Sequence, residues 1–223
     1  MPNLTLWGRV MGVPVRRVPS NSGIFNGNLN GILKAYLTFD DGPDPDFTPQ
    51  VLDLLKQLGA KATFFVVSER ARSNLKIIKR IQNDGHAIGN HSLDHRYSPF
   101  FKGYNSMKRW IEDSEKALCE MGIPDSVGFR PPVGIRTPEL SRVLRDLNIP
   151  MILWEKRCFD GVSLFDEKKA KKIADSFKSG DIFLLHDKQK SSRMETFLVG
   201  LSCFIKTLKQ RGYSFEKLDR ASF

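Results

Sequence analysis

Two histidines four residues apart, His91 and His95 in HSLDH, and two adjacent aspartates, Asp40–Asp41 in TFDDGPD, are the residues best placed to do chemistry. Two imidazoles and a carboxylate make a donor set for one divalent metal, zinc first, with a position left open. The spacing serves that purpose if both histidines sit on one helical turn and point the same way. Spacing alone is weak, since such a pair is more often one partly buried and one surface histidine. The neighbouring carboxylates strengthen it, because they repel unless a cation or an arginine offsets them. Asp-Gly-Pro also forms turns, and a turn that aims the carboxylates satisfies both readings. The residues themselves do not say which aspartate ligates and which acts as base.

Those side chains need a scaffold. KAYLTFD (34–40), ATFFVV (62–67), HAIGN (86–90), SVGFR (126–130), IPMILW (149–154), DIFLLH (181–186) and YSFEKL (213–218) read as strands. Between them, TPQVLDLLKQLG reads as a helix with Thr48 as N-cap and Pro49 at N1, and TPELSRVLRDL as one with Thr137 and Pro138 in those places. Leu75, Ile78 and Ile81 mark a helix stopped by Gly85. Met107, Trp110, Ser114 and Leu118 mark one reaching about Gly122. Asp166 to Phe177 and Phe197 to Leu208 complete the set. Strands alternating with helices predict parallel pairing through helical crossovers, hence an α/β fold. A dinucleotide fold needs a glycine-rich first loop, and DDGPDPD is acidic there, so a barrel is expected.

In such a barrel the C-terminal strand ends share one face, where sites are built. Asp40, Asp41, His91, His95, Arg130, Asp160 and His186 all fall at or just past strand ends. Chance would scatter them over both faces. His186 leaves an apolar strand and could equally be a buried structural histidine. Asp187 reads as a capping or solvent-facing residue, and Cys158, Phe64 and Phe65 as core.

The chain has 223 residues, 40% apolar and 27% charged, enough for one domain with a sizeable core. Residues 1–33, with Pro14, Pro19 and SNSGIFNGNLNG, are expected to form an irregular strap with a short hairpin at an Asn-Gly pair, and 34–223 the barrel. The three cysteines suggest no disulfide framework. The net charge of +10 suits an acidic partner or peripheral contact with an anionic membrane, yet no nucleic-acid motif accompanies it. No run approaches the roughly 18 apolar residues of a membrane span, and the first residues do not read as a signal peptide. A cytoplasmic location and no nucleic-acid partner are the expectations.

TFDDGPD (38–44), HSLDH (91–95), RPPVG (130–134) and LLHD (184–187), with ATFFV and GHAIGNHS, resemble the ordered motifs of the NodB-type polysaccharide deacetylases, the family-4 carbohydrate esterases. The resemblance runs from about Lys34 to Phe215. It implies a distorted (β/α)7 barrel and a hydrolase removing an acetyl group from an N-acetylated sugar in a glycan. It further implies Asp41, His91 and His95 as metal ligands, with zinc expected and cobalt or manganese as alternatives. Asp40 becomes the general base, tuned by Arg130, and His186 the general acid, partnered by Asp160. The Val133 N–H becomes an oxyanion donor, and Leu184 lines the acetyl pocket.

Two departures stand out. The family usually carries an aromatic residue where this chain has Val133, and a tryptophan where Gly161 follows Asp160. Both remove bulk from the cleft wall and bear on substrate more than on reaction. Lys188, Lys190 and Arg193, in the loop after His186, predict an anionic substrate. Rival readings are deacylation or deformylation of a lipid-linked sugar at a membrane surface, and a glycan-binding barrel with little turnover.

Overall fold

The computed structural model describes residues 14–19, 24–25, 28–29 and 33–222. Strands β1 (Ile24–Phe25) and β2 (Asn28–Leu29) pair antiparallel, as the Asn-Gly hairpin reading expects. The main sheet contains β3 (Leu33–Asp40), β4 (Ala62–Val66), β5 (Ala87–Asn90), β6 (Lys156–Arg157), β7 (Ile182–His186) and β8 (Tyr213–Phe215). All its pairs are parallel, in the order β5-β4-β3-β7-β6, with β8 against the first residues of β3. The helices are α1 (Thr48–Gln57), α2 (Ser68–Ser73), α3 (Leu75–Asn83), α4 (Tyr104–Glu120), α5 (Pro138–Asp146), α6 (Glu167–Asp175) and α7 (Met194–Gln210).

Past β5 the sheet continues through single bridges, from Asn90 to Phe129, from Phe129 to Met151 and from Ile152 to Val15. Arg17 then bridges antiparallel to Asp181, just before β7. The sheet thus curls into a distorted barrel, with residues 15–17 filling its last seam. Amides fix this strap from both sides: Val15 donates to the Met151 carbonyl (2.8 Å), Leu153 to the Val15 carbonyl (2.8 Å) and Val18 to the Gly180 carbonyl (2.9 Å).

Alternation along β3 and β7 decides what faces where. Ala35, Leu37, Phe39, Phe183 and Leu185 point out to the helices and join the largest core, with Val51, Leu52 and Leu55 of α1 and Phe204, Ile205 and Leu208 of α7. Tyr36 and Ile182 point inward with Phe65 and Ile152. Inside the barrel the register therefore stacks Tyr36 beside Ile182, Thr38 beside Leu184 and Asp40 beside His186. Phe64 belongs to the outer core and Phe65 to the interior.

Two expectations need correction. SVGFR and IPMILW make isolated bridges rather than strands, and β6 starts beyond them. Pro150 has no amide to donate, and the Arg130 side chain takes the Ile152 (3.3 Å) and Leu153 (3.0 Å) carbonyls that a ladder would use. The helix marked by Leu75, Ile78 and Ile81 forms as α3, and the short α2 precedes it, separated by Asn74 with φ −133°. Thr48 is no cap: it lies inside α1, donating to Asp187 Oδ2 at 2.7 Å. Thr137 does cap α5, accepting from the Leu140 amide at 3.1 Å. Among the described residues no helix is long and apolar enough to cross a membrane.

Candidate active site

Asp40, last residue of β3, is buried and points into the mouth of the barrel. Its Oδ1 accepts from Arg130 Nη1 at 2.7 Å, and the same nitrogen donates to Thr38 Oγ1 at 2.7 Å. Arg130 is wholly buried, its guanidinium stacked 3.9 Å from the Phe65 ring centre. Burial lowers the Arg130 pKa from its usual value, and Asp40 opposes that shift. Each side chain supplies hydrogen bonding that the other lost with water.

Asp41 turns out of the strand at φ 75°, a left-handed conformation that aims its carboxylate across the mouth. Asp41 Oδ1 lies 3.4 Å from His91 Nε2 and 2.9 Å from His95 Nε2. His91 and His95 do not share a helical turn as expected. They belong to a loop in which Ser92 (φ 83°) and His95 (φ 61°) are left-handed. Asn90 holds that loop, its Oδ1 accepting from the Ser92 amide (2.7 Å) and from Ser114 Oγ (2.8 Å). Ser92 Oγ accepts in turn from the His95 amide at 3.0 Å.

These three residues fit a metal. Their donor atoms lie within 4.8 Å of one another. Ligand bonds of about 2.0–2.1 Å place tetrahedral donors roughly 3.3 Å apart, close to the spacings to Asp41. His91 Nδ1 faces the Arg130 carbonyl at 2.8 Å, which fixes its proton there and leaves Nε2 to ligate. Burial would raise the Asp41 pKa, but hydrogen bonds and charge from the two histidines hold it far below the usual carboxylate range.

His186 ends β7, in register beside Asp40, with its Nδ1 2.8 Å from Asp160 Oδ1. The His186 amide (2.7 Å) and Gln189 Nε2 (2.9 Å) both donate to Asp160 Oδ2. Burial works against charge on His186, yet the hydrogen bond and charge of Asp160, with Asp40 and Asp41 behind, raise it to about 9. Val133 is exposed at φ 50° in a tight turn whose own bonds come from the Gly134 (2.9 Å) and Ile135 (3.1 Å) amides. Leu184 is buried one layer below His186. Cys158 is buried, and burial with the Asp160 charge pushes its thiol pKa far up, so it offers no nucleophile.

Several partners escaped the reading of the residues. Thr38 could have been found two residues before Asp40, on the same face of the strand. Asn90 and Gln189 carried no signal, because their work depends on loop geometry. Asp187 is neither a cap nor solvent-facing: it is buried, and its Oδ1 has no partner among the described residues. Tyr97, its ring 5.7 Å from that of His95, and Phe159 are exposed aromatics at the mouth.

A family description of polysaccharide deacetylases matches residues 31–152. A peptidoglycan-N-acetylglucosamine deacetylase of Bacillus cereus is 35% identical over 80% of this chain and 83% of its own. A chitooligosaccharide deacetylase of Azorhizobium caulinodans is 31% identical over 82% and 91%. Among solved structures, a peptidoglycan N-acetylglucosamine deacetylase superposes with a TM-score of 0.80 and 28% identity, covering 96% of this chain and 94% of that one. A family 4 acetyl xylan esterase from Clostridium thermocellum, in complex with cobalt, gives 0.72 and 33% over 83% and 88%. On this evidence the chain belongs to the polysaccharide deacetylase family.

Proposed function

We propose that this protein hydrolyses the N-acetyl group of an amino sugar within a glycan, using one divalent cation held by Asp41, His91 and His95, zinc first and cobalt or manganese as alternatives. The carrying observation is a buried carboxylate, Asp40, and the His186–Asp160 pair at adjoining strand ends, beside a two-histidine, one-carboxylate donor set. A cation bound there supplies Lewis acidity towards the acetyl carbonyl and towards water.

The chain's own groups handle the protons. Asp40, whose Oδ1 is taken by Arg130, accepts the proton of the attacking water at the oxygen turned away from the guanidinium. The Val133 amide, presented by its left-handed turn, donates to the developing oxyanion. His186 is kept protonated by Asp160 and delivers a proton to the departing amine. That delivery matters for an amide, whose amine leaves poorly unprotonated. Leu184, one layer down, closes the floor under the acetyl methyl.

An anionic substrate is the finer expectation, resting on Lys188, Lys190 and Arg193. Lys188 lies in a cleft shared with Asp44, Glu69 and Arg70, so acids offset much of its charge. Arg193 reaches the Gly161 carbonyl at 3.4 Å. The loop follows the strand end that carries His186, and none of its three cations forms an ion pair among the described residues.

The test is acetate release from N-acetylated glucosamine oligomers, with acetyl xylan as the ester control, before and after chelation and on adding back zinc. Release should vanish on chelation and return with metal. Asp40→Asn should lower kcat roughly a hundredfold or more with metal content unchanged. His91→Ala should lose the metal. Full metal content in His91→Ala, or near-normal turnover in Asp40→Asn, contradicts the assignment.

A further inference from the structure

Beside the Val133 turn lies a cleft of about 370 Å³ lined by Arg16, Arg136, Arg157, Glu155, Trp154 and Val133. Three guanidinium groups converge there against one carboxylate. All three arginines are exposed, and none forms an ion pair among the described residues. The Arg157 guanidinium lies over the face of Phe159, 4.1 Å from its ring centre. Like charges gathered without a counterion repel, so the arrangement favours an anion.

The cleft is held in place rather than draped on the surface. Arg16 comes from the strap, and both of its neighbours are anchored. Val15 is bonded between Met151 and Leu153, and Arg17 Nε donates to the buried Asp181 carboxylate at 2.7 Å. Val15 packs toward the interior core with Trp154, and strand alternation turns Arg16 the other way, to the cleft. On the far wall, Gly134 lies against the Trp154 indole so closely that a Cβ would sit 2.8 Å from the ring. The turn that carries Val133 and leads into Arg136 is thereby fixed to one tryptophan.

We propose that this cleft is a subsite for an anionic group, a carboxylate or a phosphate, carried by the glycan next to the sugar that is deacetylated. The proposal rests on the deacetylase reading above and names a recognition element for it. Guanidinium forks match both anions with paired hydrogen bonds, and the indole offers a flat apolar face to a sugar ring. Val133 lines the cleft, and its amide is the oxyanion donor of the proposed reaction, so an anion in the cleft belongs to a neighbouring residue of the polymer. In this chain the missing wall bulk at Val133 leaves that route open.

The experiment compares the metal-loaded wild type with Arg16→Gln/Arg136→Gln/Arg157→Gln, its folding checked by thermal melting. The substrates are chitotetraose, the same oligomer carrying 6-phosphates, and a tetrasaccharide alternating N-acetylglucosamine with carboxylated N-acetylmuramic acid. The ratio of kcat/KM on an anionic substrate to that on chitotetraose should fall about tenfold in the variant, three exposed contacts acting together. Whichever anionic oligomer shows the fall identifies carboxylate or phosphate as the group read. The same loss of anion preference should appear in equilibrium binding to Asp40→Asn protein, where no turnover intervenes. Wild-type turnover with an unchanged ratio, in rates and in binding, overturns the subsite alone. No acetate release from any of the three by the wild type overturns the reaction and the subsite together.

Discussion

Asp160 commits both carboxylate oxygens to one histidine, taking the ring at Oδ1 and the backbone amide at Oδ2. Asp160→Asn keeps much of this shape and removes the charge. His186 then loses a main support for its protonated form, which in the native protein persists up to about 9. The acid form is the active one, so activity falls as pH rises through this pKa. The alkaline limb of kcat should move to lower pH in Asp160→Asn, with metal content unchanged. A limb that stays in place assigns the acid elsewhere. Asp187, next in the chain, behaves oppositely. Burial first, then the Asp41 and Asp40 charges, raise it to about 7 against the Thr48 hydrogen bond. Unfolded, it titrates near 3.9. The native state therefore binds the extra proton between about pH 4 and 7, and stability falls as pH rises across that window. In metal-free protein, Asp187→Asn should flatten that fall in melts from pH 4.5 to 7.5, and an undiminished slope would place its origin in other groups.

At the scale of elements, the sequence was legible wherever a local rule decides. Thr137-Pro138 set the start of α5, and glycines ended the helices. Alternation along TFDD placed Asp40 inside with the strand. Reading failed where a side chain replaced backbone pairing. SVGFR and IPMILW have strand composition, but Arg130 occupies the space between them and Pro150 interrupts donation. The histidine loop was misread for a related reason. Four-residue spacing suggests a helix, while the convergence depends on left-handed Ser92 and His95 held by Asn90 and Ser114, a long-range network. Arg130 is thus as much a joint between β3 and residues 151–153 as a neighbour of the base. Arg130→Met should cost about 3–5 kcal/mol in urea unfolding, because Asp40 is left buried and unpaired. Arg130→Met/Asp40→Asn should recover a good part of that. Equal destabilisation in both variants would put the loss in packing.

For the whole molecule, the open question from the sequence was residues 1–33, whose turns and prolines offer no periodicity. Their described portion makes its contacts with residues 151–153 and 180–181, far along the chain, so nothing local announced the docking. Arg17 pairs with Asp181, whose side chain is fully buried and also accepts from the Lys178 amide at 3.0 Å. Arg17→Ala leaves that carboxylate half-served, a loss of about 1–3 kcal/mol. For a chain of this size each kcal/mol lowers Tm by roughly 2–4 °C. Metal binding, on the opposite end of the strands, should not change. An unaltered Tm would mean that the strap contributes nothing to closure.

The strap's bonds also order events in time. Arg17 and Asp181 are separated by 164 positions in sequence. A ribosome therefore releases residues 15–17 long before their partners exist, and the seam stays unzipped until the segment through β7 has emerged. The first-made residues are among the last to find their places. A chain cut short before Gly180 leaves Arg17 and Val18 without their partners, and unpaired backbone there invites other strands. A chain that includes β7 hides that edge in the same act that holds Arg16 at its cleft, so a sealed barrel and a furnished cleft arrive together.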